Sequence, residues 1–159
     1  IDKFNNQMIK KKIALCLLIL FLITACEYKP IYSQKNTNFS ITKLEIIKKD
    51  IINFKIKNRL KIYQNEKGSK KYDLTVDSQK IISITSKDKK SDAKTFNMEI
   101  SVSIIVKDNI SLTLEKTFIE NFNYNTDVNK VNLREYEKTI QNNLINKIAD
   151  NISAYLFSL

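Results

Sequence analysis

The stretch "FNMEISVSIIV", residues 96–106, decides the fold, because its apolar side chains fall on every second residue. Alternation with a period of two predicts a β-strand that buries one face and leaves the other face polar. The apolar face of this strand consists of Phe96, Met98, Ile100, Val102, Ile104 and Val106. We therefore expect a sheet with a single buried face, which is typical of antiparallel sheets.

The segments on both sides of this strand alternate in the same way. In the preceding segment one face carries Tyr72, Leu74, Val76, Ile82 and Ile84. The following segment, 110–124, alternates through Leu112, Leu114, Phe118, Phe122 and Tyr124. The charged stretch 87–94 predicts a hairpin loop, and "KDN" at 107–109 predicts a tight turn. Three consecutive antiparallel strands are therefore expected.

Two other segments place their apolar residues at the spacing of an amphipathic helix. The segment 50–64 opens with Asp50, which is a favourable N-cap residue. Its apolar face consists of Ile52, Ile56, Leu60 and Tyr63. The segment after the polar stretch 125–130 carries a longer stripe, which consists of Leu133, Tyr136, Ile140, Leu144, Ile148, Ile152 and Tyr155.

The remaining segments complete the order of elements. The stretch "FSITKLEII", 39–47, predicts a strand, and 65–71, which holds Gly68, predicts a turn. The resulting order, β-α-β-β-β-α, predicts an α+β fold. It is a two-layer sandwich in which two helices cover one face of a four-stranded, largely antiparallel sheet.

The N-terminal segment has the order of a bacterial export signal. Three lysines at positions 10–12 precede an apolar run over 13–23. That run is shorter than the roughly 20 residues that a membrane-spanning helix needs. We therefore expect residues 1–25 to be a lipoprotein signal peptide, with Met8 as an alternative start. A membrane anchor that is never cleaved is the other interpretation.

The residues at the end of the apolar run, "ITAC" at 23–26, resemble the bacterial lipobox. In that motif the thiol of the cysteine takes up a diacylglycerol as a thioether. We expect this covalent lipid on Cys26 and no cofactor. Glu27 in place of aspartate favours sorting to the outer membrane, with the chain anchored in its periplasmic leaflet. Residues 26–38 would form the lipidated N-terminus and tether, and 39–159 a single α+β domain.

The segment "CEYKPIYS", residues 26–33, is similar to the mature start of the lipopolysaccharide-assembly lipoprotein family LptE. In that family the lipidated cysteine is followed by an aromatic residue, a proline, a hydrophobic residue and a tyrosine. The matching positions are Cys26, Tyr28, Pro30, Ile31 and Tyr32. Many relatives have glycine where this chain has Glu27 and Ser33. The resemblance extends over the mature chain, because the family also has two helices around a four-stranded sheet.

This resemblance implies a non-enzymatic role. Members of the family sit inside the lumen of an outer-membrane β-barrel, LptD, help it assemble and help deliver lipopolysaccharide to the cell surface. The resemblance assigns Tyr28, Pro30, Ile31 and Tyr32 to partner binding. Lipopolysaccharide carries phosphates or acidic sugars, which exposed lysines complement. The candidate lysines are Lys87, Lys89, Lys90, Lys94 and Lys130.

Each of these residues also has a simpler interpretation. The lysines would be ordinary solvated side chains in a lysine-rich chain. The two tyrosines at 28 and 32 would rest among lipid headgroups, where aromatic side chains are common.

The composition argues against an enzyme and against a nucleic-acid-binding protein. The chain has no histidine, so a serine or cysteine nucleophile would lack its usual base. A single glycine cannot build a phosphate-binding loop, and no metal site is expected. The net charge of +10 would suit nucleic acid, but an export signal separates the chain from it.

Two further functions stay open. A pilotin-like or chaperone lipoprotein for another outer-membrane barrel or secretin would share the signal and the small α+β domain, so only its partner distinguishes it. A lipid-shuttling module would need an apolar pocket. We expect a one-faced sheet covered by two helices to leave no space for one.

Overall fold

A computed structural model describes residues 38–64, 68–110 and 112–159 of the chain. Its elements are β1 (Phe39–Ile46), α1 (Ile51–Leu60), a 3-10 turn (Lys61–Tyr63), β2 (Lys70–Lys87), β3 (Ala93–Asp108), β4 (Thr113–Asn125) and α2 (Lys130–Ser158). The predicted order β-α-β-β-β-α and the predicted α+β class are both confirmed.

The four strands form one sheet in the order β1-β2-β3-β4. β1 pairs with β2 in parallel, because α1 carries the chain back between them. β2 with β3 and β3 with β4 are antiparallel pairs joined by hairpins. The sheet is therefore mixed and mostly antiparallel.

The apolar residues of β1 all face the core because the strand contains a bulge. Its pairing with β2 shifts by one residue between Ile41 and Lys43. Phe39 and Ile41 face inward before the shift, and Leu44 and Ile46 face inward after it. A bulge changes which residues of a strand share a face, so a spacing of three between Ile41 and Leu44 still fits a strand.

The core lies between one face of the sheet and both helices. The predicted face of β3 is fully buried from Met98 to Val106, with at most 2% of each apolar side chain exposed. α1 contributes Ile52, Ile56 and Leu60, and α2 contributes Ile140, Leu144, Ile145, Ile148, Ala149, Ile152 and Leu156. Burial of these apolar side chains is the main force that holds the helices on the sheet.

Each helix begins at a residue whose side chain caps it. The Asp50 Oδ1 accepts a hydrogen bond from the backbone N–H of Asn53 at 2.8 Å, which confirms the predicted N-cap. The Asn129 Oδ1 accepts from the backbone N–H of Val131 at 2.9 Å in the same way. The asparagine cap lies in the polar stretch 125–130, for which the sequence predicts no cap.

The only glycine is required by a close backbone contact. A Cβ atom built on Gly68 would lie 2.1 Å from the carbonyl carbon of Phe39 and 2.4 Å from the backbone nitrogen of Ser40. Any larger residue would push β1 away at its first residues. The glycine is therefore explained by packing against β1.

Several predicted boundaries were wrong by a few residues. The α-helix in 50–64 ends at Leu60 and continues as the 3-10 turn. β2 begins at Lys70, inside the predicted turn, and β4 begins at Thr113 rather than at 110. β2 and β3 also extend into the predicted loop 87–94, because the two strands stay paired beyond their last alternating apolar residues.

Some residues predicted for the core are exposed. Ile82, Ile84 and Phe122 lie on the helix-facing side of the sheet, but 42%, 51% and 45% of their side chains are exposed. On α2, Tyr136 is 47% exposed. The three strand residues lie on the predicted face of the sheet, but burial also requires a helix that packs against that part of the face. α1 packs on β1 and on β2, whose buried residues end at Ser78.

Candidate interaction surfaces

The predicted residues of the N-terminal segment lie outside the described residues. They are Cys26 for lipidation and Tyr28, Pro30, Ile31 and Tyr32 for partner binding. These assignments, the signal peptide 1–25 and the tether 26–38 therefore stay predictions.

Four of the five candidate lysines lie around the β2–β3 hairpin. Lys89 and Lys90 are in the turn, Lys87 is the last residue of β2 and Lys94 is the second residue of β3. All four are exposed. Within the described residues, none of them forms an ion pair.

Backbone N–H groups of this turn donate hydrogen bonds to the carboxylate of Asp88. The Asp88 Oδ1 accepts hydrogen bonds from the backbone N–H of Lys90 at 2.8 Å and from that of Asp92 at 2.9 Å. Ser91 adopts a φ of 66°, which is uncommon for a residue other than glycine. The turn therefore uses the Asp88 Oδ1 to hold its own backbone, while its second carboxylate, Asp92, lies among the four lysines.

Lys130 lies at the same end of the sheet. The backbone N–H of Thr126, just after β4, donates to the carbonyl oxygen of Lys94 at 3.0 Å. Only the short segment from Asp127 to Asn129 separates Thr126 from α2, whose first residue is Lys130. We call Lys87, Lys89, Lys90, Lys94 and Lys130 the lysine end of the sheet. The sequence placed Lys130 just before the helix, and the structure makes it the first helical residue.

Tyr124 connects the first part of α2 to the sheet near the lysine end. Its hydroxyl donates to the Glu137 Oε1 at 2.7 Å, and its ring stacks on Phe96 with the centroids 5.6 Å apart. The Tyr136 ring contacts the Tyr124 ring edge-on, with the two centroids 6.3 Å apart. Burial raises the pKa of the Tyr124 hydroxyl well above its usual value, and the hydrogen bond to the Glu137 carboxylate raises it further.

The face of the sheet opposite the helices is polar, and no element of the described residues covers it. The Ser103 and Thr117 hydroxyls are 2.8 Å apart, and the Asn97 Nδ2 donates to the Asn123 Oδ1 at 2.8 Å. We call this side the polar face. Its side chains on β2, β3 and β4 come mainly from serine, threonine, asparagine and charged residues, with three isoleucines at 81, 105 and 119.

A pocket of about 330 Å³ lies at the end of the sheet opposite to the lysine end. Its apolar lining includes Tyr72, Val106, Leu112 and Leu114, and Lys71 is also part of its wall. Because Ile110 and Leu112 in its wall are exposed, this is an open pocket at the end of the sheet rather than a space between the sheet and the helices. The expectation that the covered face leaves no apolar pocket inside the fold therefore stays a prediction.

The described residues contain neither a helix that could cross a membrane nor a cluster of three potential metal ligands.

No family model and no curated protein matches the sequence. Solved structures do match. The rare lipoprotein B of Shewanella oneidensis has 14% sequence identity and a TM-score of 0.60, over 75% of this chain and 94% of its own. A minor lipoprotein from Acinetobacter baumannii has 16% identity and a TM-score of 0.54, over 77% and 92% of the two chains. At these identities the likeness establishes the fold: the chain is folded like these lipoproteins.

Proposed function

We propose that this chain is a lipid-anchored outer-membrane lipoprotein that sits inside an LptD-type β-barrel, helps that barrel assemble and takes part in delivering lipopolysaccharide. The observation that carries the proposal is the polar face, a broad hydrophilic side of the sheet without a covering element in the described part of the chain. The lumen of a large outer-membrane barrel is itself polar, so it accepts such a surface without burying unpaired polar groups in an apolar environment.

Three features of the molecule support the lipoprotein part of the proposal. The fold is that of two proteins named as lipoproteins. The segment 23–26 has the residues of a lipobox, and the segment 26–33 has the frame of the LptE mature start. We propose Cys26 as the lipidated residue and Tyr28, Pro30, Ile31 and Tyr32 as contacts to the barrel. Since the chain has no histidine, we also propose that it is not an enzyme.

The lysine end supports the lipopolysaccharide part. Its five lysines lie at one end of the sheet and outnumber the two carboxylates of the turn, Asp88 and Asp92, of which Asp88 accepts backbone hydrogen bonds through its Oδ1. A phosphate group of lipopolysaccharide would find several donors there, and charge-assisted hydrogen bonds of this kind are among the stronger polar contacts.

The first test identifies the partner. The full-length chain carries a tag after Leu159, is expressed in its host and is purified from outer membranes in mild detergent. We expect one large β-barrel to co-purify at equal stoichiometry. A secretin in its place would assign the chain to the pilotin class, and the absence of any barrel would contradict the proposal.

The second test addresses the lysine end. The charges of Lys87, Lys89, Lys90 and Lys94 are reversed to glutamate together. A matched control reverses four exposed lysines outside this end, which are Lys49, Lys61, Lys71 and Lys107. Each exposed ionic contact contributes about 0.2–1 kcal/mol, so we expect the first variant to bind lipopolysaccharide about tenfold more weakly at low salt. Equal losses in both variants would show a dependence on net charge alone.

A further inference from the structure

The outer edge of β2 is only partly paired. β1 has 8 residues and β2 has 18, and their pairing runs from Phe39 opposite Lys70 to Ile46 opposite Val76. Beyond Val76, β2 is paired with β3 on one side, and no described strand pairs with its other side. Among residues 38–64, 68–110 and 112–159, the far half of β2 therefore has a row of backbone groups without a strand partner.

The hydrogen bonds of the paired half show which backbone groups these are. The Val76 carbonyl oxygen accepts from the backbone N–H of Ile47 at 3.0 Å, and the Lys70 N–H donates to Asn38 at 3.1 Å. Even-numbered residues of β2 thus direct their N–H and C=O groups toward β1. Since this alternation continues until the register shift after Ile84, the accessible groups belong to Lys80, Ile82 and Ile84, whereas Ser78 is buried beside Asp50. We call these three residues the free edge.

The free edge also exposes apolar side chains on both faces of the sheet. Ile82 and Ile84 are 42% and 51% exposed on the helix-facing side, and Ile81 is 46% exposed on the polar face. Unpaired edges are normally protected by charges, proline or a covering element. The one charged residue between Asp77 and Lys87 is Lys80, whose ammonium group donates to the Gln141 Oε1 of α2 at 2.9 Å. An edge with exposed isoleucines on both faces is suited to receive another strand, whose side chains would alternate between the same two faces.

The opposite edge of the sheet provides an internal comparison. The Thr126 N–H donates to Lys94 of β3 and the Asp108 N–H donates to Leu112, so even-numbered residues of β4 pair with β3 and odd-numbered ones face outward. Apart from Ile119, the outward residues of β4 are polar: Thr113, Glu115, Thr117, Asn121, Asn123 and Asn125. That edge has the same geometry and also exposes an apolar side chain on each face, Ile119 at 56% and Phe122 at 45%. It differs in charge, because β4 carries Glu115 and Glu120 against a single lysine, whereas the β2 edge leads into a group of lysines.

We propose that the free edge of β2 binds an extended, acidic segment of a partner protein as a fifth strand of the sheet. Charge selects this partner over a second copy of the chain. The segment 78–94 carries five lysines and two aspartates, and one of these, Asp88, is occupied in the turn. Pairing two such edges would place like charges close together, which is destabilising, whereas glutamate or aspartate on the incoming strand would lie near the lysines.

This proposal goes beyond the function proposed above and does not depend on it, because it concerns an edge of the sheet rather than the identity of the barrel. If the chain co-purifies with a barrel but its free edge binds no strand, only the present proposal fails.

The test uses the full chain in mild detergent and a synthetic ten-residue peptide in which valine alternates with glutamate or threonine. The measurement is amide hydrogen exchange at single-residue resolution. Without peptide, the N–H groups of Lys80, Ile82 and Ile84 should exchange quickly, because they face solvent. At saturating peptide we expect their exchange to slow by about tenfold or more, while the outward N–H groups of Thr117 and Ile119 on β4 stay unchanged.

Two controls make the result specific. A peptide with the same side chains but an N-methyl group on every residue should give no protection, because it cannot donate the strand hydrogen bonds from either of its edges. The variant Ile82→Pro removes one outward N–H, whereas its matched control, Ile119→Pro, removes one at the opposite edge. We expect Ile82→Pro to weaken peptide binding about tenfold or more and Ile119→Pro to leave it unchanged.

Three results would overturn the proposal. One is unchanged exchange at the free edge at saturating peptide, or equal protection by the N-methylated peptide. Another is protection without peptide in a chain that sediments as a dimer, which would assign the edge to a second copy. The third is binding to vesicles of phosphatidylglycerol with protection at the free edge, while the peptide gives none.

Discussion

Tyr124 offers a direct test of how the first part of α2 is held on the sheet. It is 4% exposed, and its hydroxyl donates to the Glu137 carboxylate at 2.7 Å. The change Tyr124→Phe removes this hydrogen bond and keeps the ring that stacks on Phe96. Hydrogen bonds to charged groups contribute about 1.5–3 kcal/mol. Because Glu137 is only half-buried, its carboxylate regains some water, so we expect a loss at the lower end, about 1–2 kcal/mol in the free energy of unfolding.

Thermal and urea unfolding of the two proteins measure this loss. For a domain of this size it corresponds to a decrease in Tm of about 4–8 °C. The control is Tyr136→Phe, whose parent ring is 47% exposed and whose hydroxyl has no partner among the described residues. We expect that control to change stability by less than about 0.5 kcal/mol. Equal stability of Tyr124→Phe and the wild type would refute the reasoning.

The pH dependence gives an independent check on the same contact. Burial and Glu137 raise the pKa of Tyr124 in the folded state, whereas in the unfolded chain a tyrosine titrates near about 10. The folded state therefore favours the protonated hydroxyl, and this contribution is fully present below about pH 10 and decreases as the pH rises above it. The stability difference between the wild type and Tyr124→Phe should narrow above that pH. A constant difference would mean that the hydroxyl does not titrate differently in the two states.

Two further predictions test the packing of the domain. Gly68→Ala should lower the free energy of unfolding by about 2 kcal/mol or more, because its Cβ would lie 2.1 Å from a backbone carbon of Phe39; an unchanged urea midpoint would show that β1 can move away without cost. Ile148→Ala removes a fully buried side chain from α2 and should cost about 2–5 kcal/mol in the same assay, whereas Ile119→Ala, at 56% exposed, should change stability by less than about 0.5 kcal/mol. Similar losses in these two variants would contradict the position of the core between α2 and the sheet.

Periodicity predicted the fold well because each element has one apolar face. The alternation from Met98 to Val106 and the stripe from Ile140 to Ile152 both face the core, as the sequence indicated. Periodicity could not predict which part of the apolar face of the sheet is covered by a helix. Ile82 and Ile84 have the correct parity and are still exposed, because burial depends on the length of β1 and on the position of α1.

Other features depend on contacts between segments far apart in the chain. The need for Gly68 arises from the backbone of Phe39, and the role of Asn129 as a cap becomes visible only when the first residue of α2 is known. The bulge in β1 had a visible signal, since Ile41 and Leu44 are three residues apart in a segment that otherwise alternates. A spacing of three alone does not distinguish a bulge from a short helix.

The candidate surfaces were predictable to different degrees. The lysines around 87–94 are adjacent in sequence, so their cluster followed from the hairpin, whereas the addition of Lys130 required the hydrogen bond that places Thr126 beside Lys94. The free edge also had a signal: the segment predicted for β1 is much shorter than the alternating run that contains Tyr72 and Ile84. Recognising it required the knowledge that these two segments pair.

The two ends of the sheet differ in what stabilises them, and this difference bears on function. At one end Phe39, Tyr63 and Phe157 pack ring against ring and close the core. At the other end every residue from 79 to 90 is exposed, although fixing each backbone residue costs about 1–2 kcal/mol of conformational entropy. The far part of β2 thus gains little from the core and is held mainly by its pairing with β3. It is the part of the sheet whose backbone groups, isoleucines and lysines are all accessible to a partner, and we therefore expect variants there to change binding more than folding.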